Sequence, residues 1–226
     1  MQVTTFRELI LSCKGKRICV MGGAKSLAED LSDVEADVYI SANEHGIPYP
    51  HDYIIAMDRQ HGSGKLMKAV LRAASDKPII SPEEFSDYRL TVWPGSPRRL
   101  YSGMVGAWCA WAMGAKVVIL AGMDGYNGSQ RAKRQADMMA EEIRCPVRVV
   151  SGPLVAVFGQ YDRAERFGRY APHNAIQTLL GDDGETRVKV RKATAIEGAA
   201  YKPGDEWSGP RKSVAVQLRH KMVIEL

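Results

Sequence analysis

Residues 17–31 read RICVMGGAKSLAEDL. The apolar run Arg17–Met21 has the length and composition of a buried strand, breaks at Gly22-Gly23, and is followed by Ser26-Leu27-Ala28-Glu29-Asp30-Leu31, the opening turns of a helix. Strand, tight glycine turn and helix in that order define a βα unit. In such a unit the turn's backbone N–H groups and the helix dipole are placed to hold a phosphate, with Ser26 at the cap. The turn is neither a complete dinucleotide fingerprint nor a Walker loop, so a purely structural turn is the competing reading.

The same alternation continues along the chain. Asp37–Ala42 (DVYISA) and Asp52–Met57 (DYIIAM) are β-branched and aromatic runs whose C-terminal ends carry Asn43 and Asp58. A helix is expected over 64–74, a short strand over 78–80, and a small-residue helix over 102–113. The most apolar strand of the chain, Lys116–Ala121 (KVVILA), precedes an amphipathic helix over 130–144 and a last strand over 146–150. Some six strands alternating with helices predict an α/β fold, a doubly wound and mostly parallel Rossmann-like sheet whose ligands sit beyond the C-terminal ends of the strands. Gly62-Ser63-Gly64-Lys65 has the look of the end of a Walker loop, but Leu66 stands where Ser or Thr is required.

The 226 residues are 45% hydrophobic and 25% charged, which excludes disorder on the scale of the chain. Cys13, Cys19, Cys109 and Cys145 lack the paired spacing of zinc or redox sites and are expected as reduced, mostly buried thiols. The first residues show no basic-then-apolar leader, and the uncharged run Leu100–Ala115 is shorter than the ~20 residues of a bilayer span; both point to a cytoplasmic protein without a membrane segment.

Charge is uneven. Residues 185–226 hold nine Lys or Arg against five Asp or Glu, +4 of the chain's net +5. After the turn Gly181-Asp182-Asp183-Gly184 the pattern changes to short strands and turns. The expected organisation is a nucleotide-binding domain over 1–160, a linker over 161–184 and a small basic β-rich accessory module over 185–226. Its charge suits DNA or another acidic partner, with a solvated surface as the simpler alternative.

The most informative segment is 102–126, SGMVGAWCAWAMGAKVVILAGMDGY. It resembles the corresponding segment of small Rossmann-type bacterial sialyltransferases and of hydroxymethylpterin pyrophosphokinase-like (MptE-like) proteins. In both, Ser-Gly opens a small-residue helix, an apolar strand follows, and Gly-x-Asp and then Tyr close it. Gly22-Gly23-Ala24-Lys25-Ser26-Leu27 matches their Gly-x-Gly-Pro-Ser-Leu turn less well, having lost the Pro. Asn43 stands where the sialyltransferases place a nucleotide-contacting Asn, and Asp52-Tyr53 with Asp58 resembles the other family's pattern.

This resemblance covers roughly residues 17–155. It implies that Gly22, Gly23, Ser26, Asn43, Ser102, Gly103 and Tyr126 bind a nucleotide or nucleotide sugar, and that Asp58 and Asp124 serve in catalysis or hold Mg²⁺. The leading function is then glycosyl transfer from a nucleotide-activated donor. Mg²⁺-dependent diphosphate transfer from ATP is a second reading, and a non-catalytic bacteriophage virion-associated or binding protein that keeps the fold is a third. In the last case the tail would dock to a virion component or another subunit, and the setting would be host cytoplasm or virion. The sialyltransferases use a His base after the Asp-x-Tyr loop, whereas 131–135 here read RAKRQ. The base would then be His51, His61, His173, Asp58 or Asp124.

Overall fold

The computed structural model describes residues 4–91, 100–124 and 129–167, together with 185–190, 194–196, 199–201, 203, 206–210 and 223–225. The chain divides into two units, 1–172 and 173–226.

Among the described residues of the first unit eight parallel strands form one sheet in the order β1-β6-β5-β4-β3-β2-β7-β8. They are β1 (Thr4–Thr5), β2 (Arg17–Met21), β3 (Val38–Ala42), β4 (Tyr53–Ile55), β5 (Ile79–Ser81), β6 (Tyr88–Arg89), β7 (Val117–Ala121) and β8 (Val147–Val149). The sheet is thus wholly parallel rather than mostly so. The two strands beyond the expected six are β1 and β6, two residues each, too short to leave a periodic signal. β2 and β7 run in step from Arg17↔Val117 to Met21↔Ala121 at the middle of the sheet.

Alternation along these strands feeds two helical layers. Ile18, Val20 and Ile55 face α3 (Ser102–Ala112), which lies so close that a Cβ on Gly106 would come within 2.8 Å of Val20 Cγ1. Every residue of α3 is buried, because its small side chains let it sink between the sheet and α4 (Gln130–Glu142). On the other face Cys19, Met21, Val117 and Ile119 pack with Leu27 and Leu31 of α1 (Leu27–Asp33), while Ile54 and Ile79 pack with Met67 and Leu71 of α2 (Met67–Ala74). Burial on both faces explains why these strands read as continuous apolar runs. The end of α3 is closed by the N-terminal segment: the amides of Leu11, Cys13 and Gly15 donate to the carbonyls of Ala112, Met113 and Gly114. Phe6 then packs on Trp108, ring centroids 6.1 Å apart.

Residues 161–167, expected as the start of a linker, belong to this unit instead. Tyr161 enters the core beside Val34 and Val117, and Glu165 makes a two-point ion pair with Arg148, at 2.6 and 2.8 Å. A polar sequence without periodicity conceals both anchors, since neither depends on repeating burial.

In the second unit the described residues form β9 (Glu185–Val190), β10 (Thr194–Ile196), β11 (Ala199–Tyr201), β12 (Glu206–Pro210) and β13 (Val223–Glu225). They make an antiparallel sheet β12-β9-β13 and the hairpin β10-β11, in keeping with the β-rich module expected. Among the described residues no helix is long and apolar enough to cross a membrane.

All four thiols are free. Burial pushes those of Cys19 and Cys109 far above the ordinary thiol range, and that of Cys145 up to about 12. Because only the thiolate reacts readily, iodoacetamide at pH 8 should leave these three unlabelled in the folded protein and label them fully in denaturant. Mass spectrometry of the native reaction showing Cys19 or Cys109 alkylated would contradict the described core.

Candidate functional site

The chain leaves β2 toward β3 on one side and β7 toward β8 on the other, so strand order reverses between them. At such a reversal the connections diverge and leave a crevice beyond the strand ends, the usual ligand position in open α/β sheets. A cavity of about 250 Å³ opens at this place, lined by both glycine turns, the tip of β3 and the first turn of α3.

Two glycines give the floor its shape. A Cβ on Gly22 would lie 2.4 Å from the Gly122 carbonyl oxygen, and Gly122 itself holds a φ of +62°, where a side chain is strained. Beneath them Asp30, 3% exposed, accepts the Gly122 N–H at 2.7 Å and the Ser26 hydroxyl at 3.3 Å, tying α1 to the end of β7. Ser26 therefore does not do what its position suggests. It sits at the N-cap of α1, but its side chain caps no backbone amide and it is not part of the pocket wall.

Asn43 forms the opposite wall in a left-handed backbone conformation, φ +55°, which Asn tolerates better than most residues. Its backbone is pinned by its N–H to the Ile55 carbonyl at 2.9 Å and by its own carbonyl to the Ser41 hydroxyl at 2.8 Å. Ser102 accepts the Met57 N–H at 3.2 Å and donates to Asn43 Oδ1 at 3.0 Å. In the first turn of α3 the amides of Ser102, Gly103 and Met104 carry no hydrogen bond among the described residues, as expected at a helix start. The Gly23 amide is likewise without a partner there. Next to α3, Tyr101 is held by its N–H to Gln135 Oε1 at 2.8 Å and by the Arg131 guanidinium 4.7 Å above its ring.

The pocket therefore gathers Gly22, Gly23, Asn43, Ser102, Gly103 and Asp124 from four separated parts of the sequence. Ser26 and Asp58 stay outside it, Asp58 exposed beyond the end of β4. Tyr126 and Gly125 lie outside the described residues, as does His173. Asp58 and Asp124 consequently do not share the pocket. Among the described residues no three His, Cys, Asp or Glu side chains gather where they could hold a metal ion.

Of the expected bases, His51 spends its ring nitrogens on the Tyr49 carbonyl and the Ser75 hydroxyl, both at 2.8 Å. His61 spends its own on Ser63 at 2.8 Å and Glu44 at 2.9 Å. The histidine that does line the pocket is His45, which the sequence reading passes over. A Cβ on Gly23 would meet the His45 ring at 2.7–2.8 Å, so the ring lies flush against the glycine turn. It makes no hydrogen bond among the described residues. The signal that could have found it is its place two residues after Asn43, in the same strand-end loop.

Glu44, between these two pocket residues, ties the 60–66 loop to the tip of β3 through His61. Burial works to raise its carboxyl pKa, but its own backbone N–H, the His61 hydrogen bond and the charges of His45 and His61 outweigh that and hold it below the usual range. At Glu35 the Arg163 hydrogen bond and charge, with Arg17, do the same. Both carboxyls ionise more easily folded than unfolded. Their contribution is thus full above the ordinary value of about 4.5 and is lost as pH falls through the lower folded values. The melting temperature should fall on acidification from pH 5 to pH 3, and Glu44→Gln should make that fall shallower; an unchanged slope would remove the Glu44–His61 tie.

No protein-family model matches the chain, and no curated protein does. Among solved structures, the chain is similar to the sialyltransferase CstII from Campylobacter jejuni in complex with a substrate analogue, cytidine-5'-monophosphate, at 14% sequence identity and a TM-score of 0.39, over 69% of this chain and 90% of that one.

Proposed function

We propose that the crevice between the ends of β2 and β7 binds a nucleotide and that the chain transfers a glycosyl group from a nucleotide-activated donor. The observation that carries the binding step is the position of the pocket at the reversal of strand order, walled by amides of Gly23 and of the α3 first turn that have no partner among the described residues. Such amides, with the helix dipole behind them, favour an anion. A volume of about 250 Å³ suits one nucleoside unit rather than a dinucleotide. The step from binding to glycosyl transfer rests on the motif resemblance of residues 102–126.

In this reading the acceptor hydroxyl attacks the donor's anomeric carbon, the bond from that carbon to the phosphate oxygen breaks, and the nucleotide leaves as its phosphate anion. The amides near Gly23 and at the start of α3 stabilise the departing charge. His45 takes the acceptor's proton, since it borders the pocket with both ring nitrogens uncommitted to the described residues.

Isothermal titration with CMP, UDP, GDP and ATP, with and without Mg²⁺, tests the proposal. Binding of CMP or a nucleoside diphosphate without Mg²⁺ is the expected result. Binding of ATP alone and only with Mg²⁺ would replace glycosyl by diphosphate transfer, and no heat from any ligand would overturn nucleotide binding.

A further inference from the structure

The hydrogen bonds behind Asn43 fix more than its position. Met57 N–H can only donate, so it occupies a lone pair of the Ser102 hydroxyl, at 3.2 Å. That hydroxyl has a single proton, and the acceptor it meets among the described residues is Asn43 Oδ1, at 3.0 Å. Were the amide turned round, Nδ2 would face a hydroxyl oxygen already accepting from Met57, and the Ser102 proton would be left without an acceptor in a residue 5% exposed. The oxygen is therefore committed inward, and both Nδ2 protons remain for the pocket, where no described residue takes them.

We infer that Ser102 is a positioning residue whose hydroxyl orients Asn43, so that the amide NH2 is presented to the pocket and reads a hydrogen-bond acceptor on the ligand. Two consequences separate this from a simple pocket lining. Ser102 has no proton to give to a ligand, although its place in the pocket suggests a direct contact. The ligand group opposite Asn43 Nδ2 is an acceptor such as a carbonyl, ring nitrogen or phosphoryl oxygen, not an ammonium or amino donor. The inference rests on the nucleotide reading for its ligand but not for its geometry.

Titration of the full chain with CMP, cytidine and ribose 5-phosphate supplies the first test. Asn43→Asp keeps an oxygen for the Ser102 proton and tolerates the left-handed backbone, yet replaces the two donors by an acceptor. It should weaken CMP at least 100-fold. The same loss with cytidine places the acceptor on the base, and with ribose 5-phosphate on the phosphate. Ser102→Ala should weaken CMP about tenfold, and Ser102→Thr, which restores the hydroxyl, should return it to within about threefold. CMP binding unchanged in Ser102→Ala, with binding still lost in Asn43→Asp, would overturn the positioning role and leave the nucleotide pocket standing.

A second readout needs no ligand. In nitrogen-edited spectra of the free protein, a Ser102 hydroxyl proton protected from exchange supports the relay. Cross-peaks from the Asn43 Hδ2 protons to the Met57 amide proton would show the amide turned round and overturn it, even if no nucleotide binds.

Discussion

Gly22→Ala should both destabilise the first unit and abolish nucleotide binding. The added Cβ would stand 2.4 Å from the Gly122 carbonyl oxygen, a backbone atom that cannot rotate away, and 2.7 Å from Met123 Cγ. Relief requires the ends of β2 and β7 to separate, yet these strands are locked in register up to Met21↔Ala121 and the Gly22 amide itself donates to Ala121 at 2.8 Å. Overpacking of this kind costs roughly 1–3 kcal/mol. For a unit of this size each kcal/mol lowers the melting temperature by about 2–4 °C, so a fall of several degrees is expected by calorimetry. Because the crevice lies between those two strand ends, the same displacement should weaken nucleotide binding more than tenfold. A variant as stable as the parent and binding equally well would mean that the two turns do not meet as described.

The second large effect concerns His45. If it accepts the acceptor's proton, His45→Gln should lower kcat by about 10²–10⁴, the usual contribution of a general base, while leaving KM for the donor within a fewfold. That loss corresponds to about 2.7–5.4 kcal/mol of transition-state stabilisation. The ring stands on an exposed loop, so the variant should melt with the parent. Measured as release of free nucleotide from the donor that titration identifies, an unchanged kcat would move the role to Asp124, and Asp124→Asn would then carry the loss.

The sequence made the frame of the fold readable because the strands at its centre are buried on both faces. Arg17–Met21 and Val117–Ala121 are unbroken apolar runs, and each ends at a glycine forced by close approach or a positive φ. Asn43 and Asp124 could be singled out because strand ends leave their mark in local order, whereas Ser102 and Gly103 came from the motif resemblance. His45 and Asp30 could not. His45 is defined by its contact with Gly23, 22 residues earlier, and Asp30 by its bond to Gly122, 92 residues later. Both depend on which strands become neighbours, which no local period encodes. The same holds for Asp58: a polar residue at a strand end suggests a site, but β4 lies two strands away from the reversal at β2 and β7.

Mapping of amide chemical shifts during titration with CMP tests the central claim most directly. Perturbations are expected to concentrate at residues 22–24, 43–45, 102–104 and 122–124, the four stretches that strand order brings to one crevice. Shifts confined to the 60–66 loop or to residues 185–226, with those stretches unmoved, would contradict it.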